Sequence, residues 1–219
     1  IKEFQGVFFP PERLGQALIP PFAPQLKDKD QKPIQTAKTL QLSPEQIEFV
    51  KKSMRALVRM GGSQRSKSQW RCNLVVARKK GGDGWQRCLE CVAVNKVLKV
   101  PASVMPSPEW QYRVKKGSKV RLDLYSAYEQ GCMAPECREQ YAFWTPEGLF
   151  EPIAILFEAA EVPTWYQAVI GQLFKHLDYM HNSIDDILVE GNDEDQLLEH
   201  LRVVLEILQR HNLDRKSVV

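Results

Sequence analysis

Three carboxylates stand in or beside strand-like apolar runs: Asp123 in VRLDL, and the adjacent pair Asp185 and Asp186 in SIDDILV. Moving a carboxylate into such surroundings is costly unless a cation compensates it. A divalent metal is the natural candidate. If the two segments lie side by side, Asp123 and Asp185 suit two Mg²⁺ ions roughly 3.5–4 Å apart, one activating an attacking hydroxyl and one steadying a leaving pyrophosphate. The residues also allow a plainer reading, in which the aspartate pair is a turn entering a strand.

Other reactive side chains give weaker signals. Cys88 and Cys91 form a CxxC, and Cys132 with Cys137 would complete four zinc ligands. The segment around Cys88 reads as a strand, where residues three apart point to opposite faces, and this counts against zinc. An odd total of five cysteines, with no secretion signal, predicts free thiols in a reducing compartment. His176, His181, His200 and His211 show no pairing with a serine or cysteine that would make a nucleophilic triad. Trp70, Trp85, Trp110, Trp144 and Trp165 lie in apolar segments and read as core or hairpin packing rather than base-stacking platforms.

The elements that must position the acids can be read from periodicity. Residues 1–42 hold PP twice with Pro24 and Pro33 and little period, so they predict an extended arm wrapping a core or a mobile leader. At Ser43 the sequence SPEQ is a capping box with proline at the first helical position, and Ile47, Val50, Met54, Leu57 and Val58 form one apolar face until Gly61 and Gly62 stop the helix. NLVVAR, KKGGDG and WQRCLECV make a β-hairpin with a basic tip. The stretch from Pro101 to Pro108 leads to a short helix near Trp110, then to a strand at 120–124 and a turn or helix from SAYEQG. YAFWT and LFEPIAIL flank PEG as a second hairpin, and Val162 to Leu177 carries a helical stripe. SIDDILV predicts one short strand. A last helix capped by Asn192 lays Leu197, Leu201, Val204, Leu205 and Leu208 on one side and ends at Asn212. The class is α+β, with an antiparallel sheet bearing the aspartates and helices 162–178 and 193–211 behind it.

The bulk numbers bound the rest. At 219 residues, 43% hydrophobic and 26% charged, the composition is that of a globular chain. No apolar run approaches the ~20 residues needed to cross a bilayer, which predicts an intracellular chain, cytoplasmic or nuclear, with no membrane partner. A start at Ile1 reads as a piece of something longer. The net charge of +3 says little, but Arg65, Lys67, Arg71, Arg78, Lys79 and Lys80 form one basic cluster and Arg113, Lys115, Lys116, Lys119 and Arg121 another. Both would suit phosphate contacts if each shares a face, and otherwise they are solvated loops.

LDLYSAYEQ followed by APECREQYAFWTPEGLFE resembles the first palm motif and following hairpin of gypsy-like LTR-retrotransposon reverse transcriptases. Upstream, LSPEQ, the KKGGDGW turn, VNKV and PSPEW are similar to that family's fingers region; downstream, VPTWYQAVIG, SIDDILVEG and LLEHLRVVLEILQRHNL resemble its next helix, its aspartate pair and the helix after that. The likeness runs from about residue 42 to 214. It implies an N-terminal arm at 1–42, fingers at 43–119 with part of 141–160, and a palm at 120–219, with no thumb or RNase H in this chain. Asp123, Asp185 and Asp186 would be the catalytic trio, and Asp123 and Asp185 the ligands of Mg²⁺ or Mn²⁺. Tyr128 would be the gate against a ribose 2′-hydroxyl, Lys79 and Lys80 would lie near the triphosphate, and Gln167 would face template and nucleotide. The implied partners are an RNA or DNA template-primer and a deoxynucleoside triphosphate.

Three departures from the family pattern oppose nucleotide binding. Ser183 stands where the family has an aromatic, Gln86 where it has an arginine that grips triphosphate, and Leu156–Glu158 reads LFE where the family has PFG, setting a carboxylate beside a triphosphate. Arg87, next to Gln86, would point to the other side of its strand. Two readings follow: an RNA-directed DNA polymerase region with impaired activity, or an inactive domesticated pseudo-polymerase serving as a protein-interaction or nucleic-acid-binding scaffold.

Overall fold

The computed structural model describes residue 4 and residues 14–36, 41–79, 84–99, 117–155 and 159–214. The reading of a short helix near Trp110, together with Lys80, Arg113, Lys115, Lys116 and Glu158, lies outside the described residues.

Helix α1 (Pro44–Arg59) starts where the capping box sets it: Gln46 N–H donates to Ser43 Oγ and Ser43 N–H to Gln46 Oε1, with Pro44 in the first turn. Val50, Met54 and Leu57 are its buried stripe. Val58, expected on that stripe, is 42% exposed, because it sits at the edge of the arc the core covers. A three-residue strand β1 (Ser63–Arg65) follows, then the hairpin β2 (Asn73–Arg78) and β3 (Trp85–Glu90), and helix α2 (Val92–Val97). Strand β4 (Ser118–Asp123) begins two residues before the predicted span and leads into the short helix α3 (Ala127–Gln130) and a 3-10 helix, Pro135–Tyr141. The second hairpin is β5 (Phe143–Thr145) and β6 (Gly148–Pro152), joined by β1 into a three-stranded antiparallel sheet of order β1-β6-β5. Strand β1 is too short for periodicity to reveal.

The last elements are α4 (Val162–Phe174), β7 (Met180–Ser183), β8 (Asp186–Gly191) and α5 (Glu194–Arg210). SIDDILV, read as one strand, is instead the end of β7, a turn and most of β8. The chain reverses at Ile184, whose φ of 56° no strand residue adopts. The cap of α5 is Asp193, whose side chain accepts from Gln196 N–H at 2.8 Å, rather than Asn192. Asn192 N–H instead donates to Gln196 Oε1.

Two cores result. The first gathers Val50, Met54 and Leu57 of α1 with Leu74, Leu89, Phe143 and Phe150 of the hairpins. The second lies between the antiparallel sheet β4-β8-β7 and helices α4 and α5, where Leu122, Ile187 and Val189 meet Tyr166, Ile170, Phe174, Val204, Leu205 and Leu208. The described part of the N-terminal arm wraps both: Leu14 and Phe22 enter the first core and Ala17 and Ile19 the second, while Phe22 bridges to Met133 and Leu26 to Leu98. Among the described residues no helix is long and apolar enough to cross a membrane.

Candidate active site

The sheet β4-β8-β7 packs one face on helices α4 and α5 and carries acidic side chains on the other. Alternation along β4 and β8 sends Leu122, Ile187 and Val189 into the core, and so sends Arg121, Asp123 and Asp186 to the opposite face. The register puts Asp123 directly across from Asp186. One step further, Leu124 N–H donates to Asp185 O at 3.0 Å, so the two sequence segments meet at all three acids.

The turn that carries Asp185 is held from below. Ile184 is a β-branched residue in the left-handed region, a conformation that persists only when neighbours enforce it. Gln167 on α4 enforces it: its Oε1 accepts from Ile184 N–H at 2.6 Å, and its Nε2 donates to Asn182 O at 3.3 Å. The amide of Gln167 is therefore engaged with the turn beneath the acids. Ser183, opposite Asp186 in the register, closes β7 beside it.

Like charges facing each other across a ladder repel. Arg121, two residues before Asp123 on the same face, answers this by gripping Asp186 with both arms of its guanidinium, Nε to Oδ1 at 2.9 Å and Nη2 to Oδ2 at 2.5 Å. Its pKa is raised first by the hydrogen bond and charge of Asp186, and further by Asp123 and Asp185. Sequence reasoning had placed Arg121 only in a basic cluster. The signal that could have found it is the period of two, which puts residues 121 and 123 on one face.

The segment after Asp123 is shaped by a second network. Buried Gln130 donates to Tyr125 O at 2.5 Å and Asp214 O at 2.8 Å and accepts from Asp214 N–H at 2.6 Å, pinning the stretch before Ser126, itself left-handed at φ 40°. Burial pushes the Asp214 carboxyl up to about 6. Tyr128 then packs edge-on against Tyr166 at 5.4 Å. Burial raises the pKa of the Tyr128 hydroxyl, and the charge of Asp185 raises it further, which puts the phenol within the field of the acids.

A cleft of about 670 Å³ opens between α1, the β2–β3 hairpin and α3, lined by Ser53, Lys79, Trp85, Arg87, Ser126 and Glu129 among others. Lys79 stands on the hairpin side of it. Gln86 and Arg87 do point to opposite sides of β3, Gln86 toward Cys88 Sγ and Arg87 toward α1, where it donates to Ser53 O at 3.3 Å. Glu129 has its carboxyl pushed up by burial and drawn partly back by Arg87.

Of the sequence-expected residues, the structure thus brings Asp123, Asp185, Asp186 and Tyr128 together, sets Gln167 under them and places Lys79 at the neighbouring cleft. Among the described residues no group of three or more His, Cys, Asp or Glu is arranged to hold a metal ion. Mg²⁺ commonly takes only one or two carboxylates, with water and substrate phosphate in its remaining positions. The cysteines Cys72, Cys91 and Cys137 are buried free thiols, and Cys137 donates to Pro24 O at 3.4 Å.

No family model matches the chain. It is 24% identical over 176 residues to the Transposon Tf2-3 polyprotein of Schizosaccharomyces pombe, a match covering 78% of this chain and 13% of the polyprotein. It is 26% identical over 124 residues to the enzymatic polyprotein of Cauliflower mosaic virus, covering 55% of this chain and 18% of that one. Among solved structures, prototype foamy virus protease-reverse transcriptase superposes with a TM-score of 0.85 at 18% identity, over 98% of this chain and 29% of that chain. The foamy viral protease-reverse transcriptase in complex with an RNA/DNA hybrid gives 0.86 at 15% identity, with the same coverage.

Proposed function

We propose that this retroelement reverse-transcriptase-like domain is the fingers and palm of an RNA-directed DNA polymerase of reduced nucleotide affinity. The fingers correspond to residues 43–119 with part of 141–160, and the palm to 120–219. What carries the reading is the register that sets Asp123 across from Asp186, with Asp185 beside them and Tyr128 within their field. The complexes known for the foamy viral enzyme, with an RNA/DNA hybrid and with double-stranded DNA, support a template-primer as the partner of this open face.

In this mechanism a primer 3′-hydroxyl attacks the α-phosphorus of a deoxynucleoside triphosphate, forming the new phosphodiester bond as pyrophosphate leaves. Asp123 and Asp185 would hold Mg²⁺, which would supply activation of the hydroxyl and charge balance on the leaving group. The protein's own contribution is position and field rather than covalent chemistry. Tyr128, wedged against Tyr166, presents a fixed ring edge to the sugar. Lys79 supplies positive charge at the cleft. Gln167 acts on the nucleotide through the turn it holds. Gln86, Ser183 and Glu158 weaken triphosphate binding. A specific observation favours a second reading, that of a pseudo-polymerase scaffold binding protein or nucleic acid: Gln86, exposed and uncharged, brings nothing to meet a phosphate.

Primer extension on a primed RNA template with deoxynucleotides and Mg²⁺ decides between them. Extension by the parent chain, lost in an Asp185→Asn, Asp186→Asn variant, supports the polymerase. Equal absence in both supports the scaffold.

A further inference from the structure

We propose that Glu129 is a specificity-determining residue of the cleft between α1, the β2–β3 hairpin and α3: its fixed carboxylate selects against anions there, and polyphosphate binds tightly only when that charge is removed. The inference deepens the polymerase reading, on which it rests for the identity of the anion, by giving a cause within the cleft for reduced nucleotide affinity.

Among the described residues that line this cleft of about 670 Å³, Lys79 and Arg87 are the cations and Glu129 is the one carboxylate. Apolar Phe49, Trp85, Leu89 and Phe143 make up much of the wall. Charges beside such a surface are screened less than charges in open water, so each acts on whatever enters. Glu129 is held in place from two sides. Its N–H donates to Ser126 O at 2.8 Å, its carbonyl accepts from Gly15 N–H of the arm at 2.8 Å, and its carboxylate accepts from the Ser126 hydroxyl. Arg87, tied to α1 through Ser53 O at 3.3 Å, acts on that carboxylate within the cleft. An anion entering is attracted by Arg87 and Lys79 and repelled by Glu129, whatever further partners Arg87 keeps. Burial raises the Glu129 pKa, and the charge of Arg87 and the Ser126 hydrogen bond draw it partly back. The opposing charge is therefore lost as pH falls. No histidine lines the cleft among its described residues, and Lys79, Arg87 and Cys88 are the other titratable groups that do.

The test is calorimetric titration with inorganic tripolyphosphate, without metal, at about pH 5 and about pH 8, on the parent chain, Glu129→Gln, Glu129→Ala and Lys79→Gln, with urea midpoints to show that each variant folds. Charge changes of the probe are common to all the chains, so the ratio of two affinities reports the protein alone. Glu129→Gln should bind about 3–10-fold tighter than the parent at the higher pH, and this advantage should shrink at the lower. Glu129→Ala, the alternative neutral variant, should behave likewise, and Lys79→Gln should bind more weakly than the parent. If the folded neutral variants bind no tighter at the higher pH, if their advantage is the same at the lower, or if Lys79→Gln binds as the parent does, so that the anion lies elsewhere, the proposal is overturned. Absence of binding by every chain overturns it too. Primer extension separates it from the polymerase reading. Tighter binding by Glu129→Gln with no extension by either chain keeps the role of Glu129 and removes the polymerase, whereas extension by the parent with no gain in Glu129→Gln binding keeps the polymerase and removes the role of Glu129.

Discussion

Replacing Gln130 by leucine removes one side chain that does the work of three hydrogen bonds. Its Nε2 reaches Tyr125 O and Asp214 O, and its Oε1 receives Asp214 N–H. Asp214 O keeps a partner, because Tyr125 N–H also donates to it at 3.1 Å. Asp214 N–H and Tyr125 O do not, and each buried backbone group left without a partner costs roughly 1–3 kcal/mol. Leucine fills a similar volume, so no cavity is added, and the loss comes to about 3–4 kcal/mol. That is a large share of the 5–15 kcal/mol typical of a whole domain. Urea unfolding followed by tryptophan fluorescence reads it as a lower midpoint at an unchanged slope. Gln130→Glu should do at least as badly, since an ionised carboxylate cannot donate to two carbonyls. A loss below about 1 kcal/mol for leucine would mean that water takes over these bonds and that the network does not hold the segment after Asp123.

Gln167→Leu orphans Ile184 N–H and should cost about 1–3 kcal/mol, and in an extending chain it should lower kcat more than it raises KM, because it loosens the turn bearing Asp185. Gly191→Ala should destabilise by about 1–3 kcal/mol in thermal melts, since a Cβ there runs into the backbone of Leu197 where α5 sits on β8. Tyr128→Val should raise ribonucleotide incorporation relative to deoxynucleotide by about tenfold or more in single-nucleotide extension. Asp214 gives a pH dependence: its folded pKa of about 6 lies above the ordinary 3.8, so its contribution is fully present below pH 4 and is lost as pH rises to 6. The half-exposed site reduces that loss to about 1 kcal/mol, and Asp214→Asn should recover it at pH 7 and flatten the stability curve between pH 4 and 6.

What could be read from the sequence was whatever is decided within one turn or one hairpin. Ser43, Pro44 and Gln46 settle the start of α1 among themselves, and the glycine-rich and PEG turns settle two hairpins. SIDDILV misled because a β-branched residue was not expected at a left-handed position. Ile184 takes it only because Gln167, on a different element, holds its N–H. Asn192 was read as the cap because its residue type caps well, but Asp193, which also caps well, has the extended backbone and accepts from Gln196 N–H. The pairing of Gln130 with Asp214 carried no signal, since a polar residue near a helix end looks like solvent-facing chain until its partner from another element is known.

The acids themselves were legible for a reason that goes beyond resemblance. Along β8, Ile187 and Val189 must face α4 and α5 to close the second core, and the period of two then leaves Asp186 on the other face. A slip of one residue would bury the carboxylate and expose the isoleucine together, so the register that stabilises the core is the register that aligns Asp186 with Asp123. Core and site are therefore specified by one constraint. The fold likeness to the foamy viral complex persists at 15% identity, so most surface and loop residues can change while the sheet is kept. Gln86 and Ser183 lie at a hairpin flank and a strand end, where substitution leaves intact the register that aligns Asp123 with Asp186.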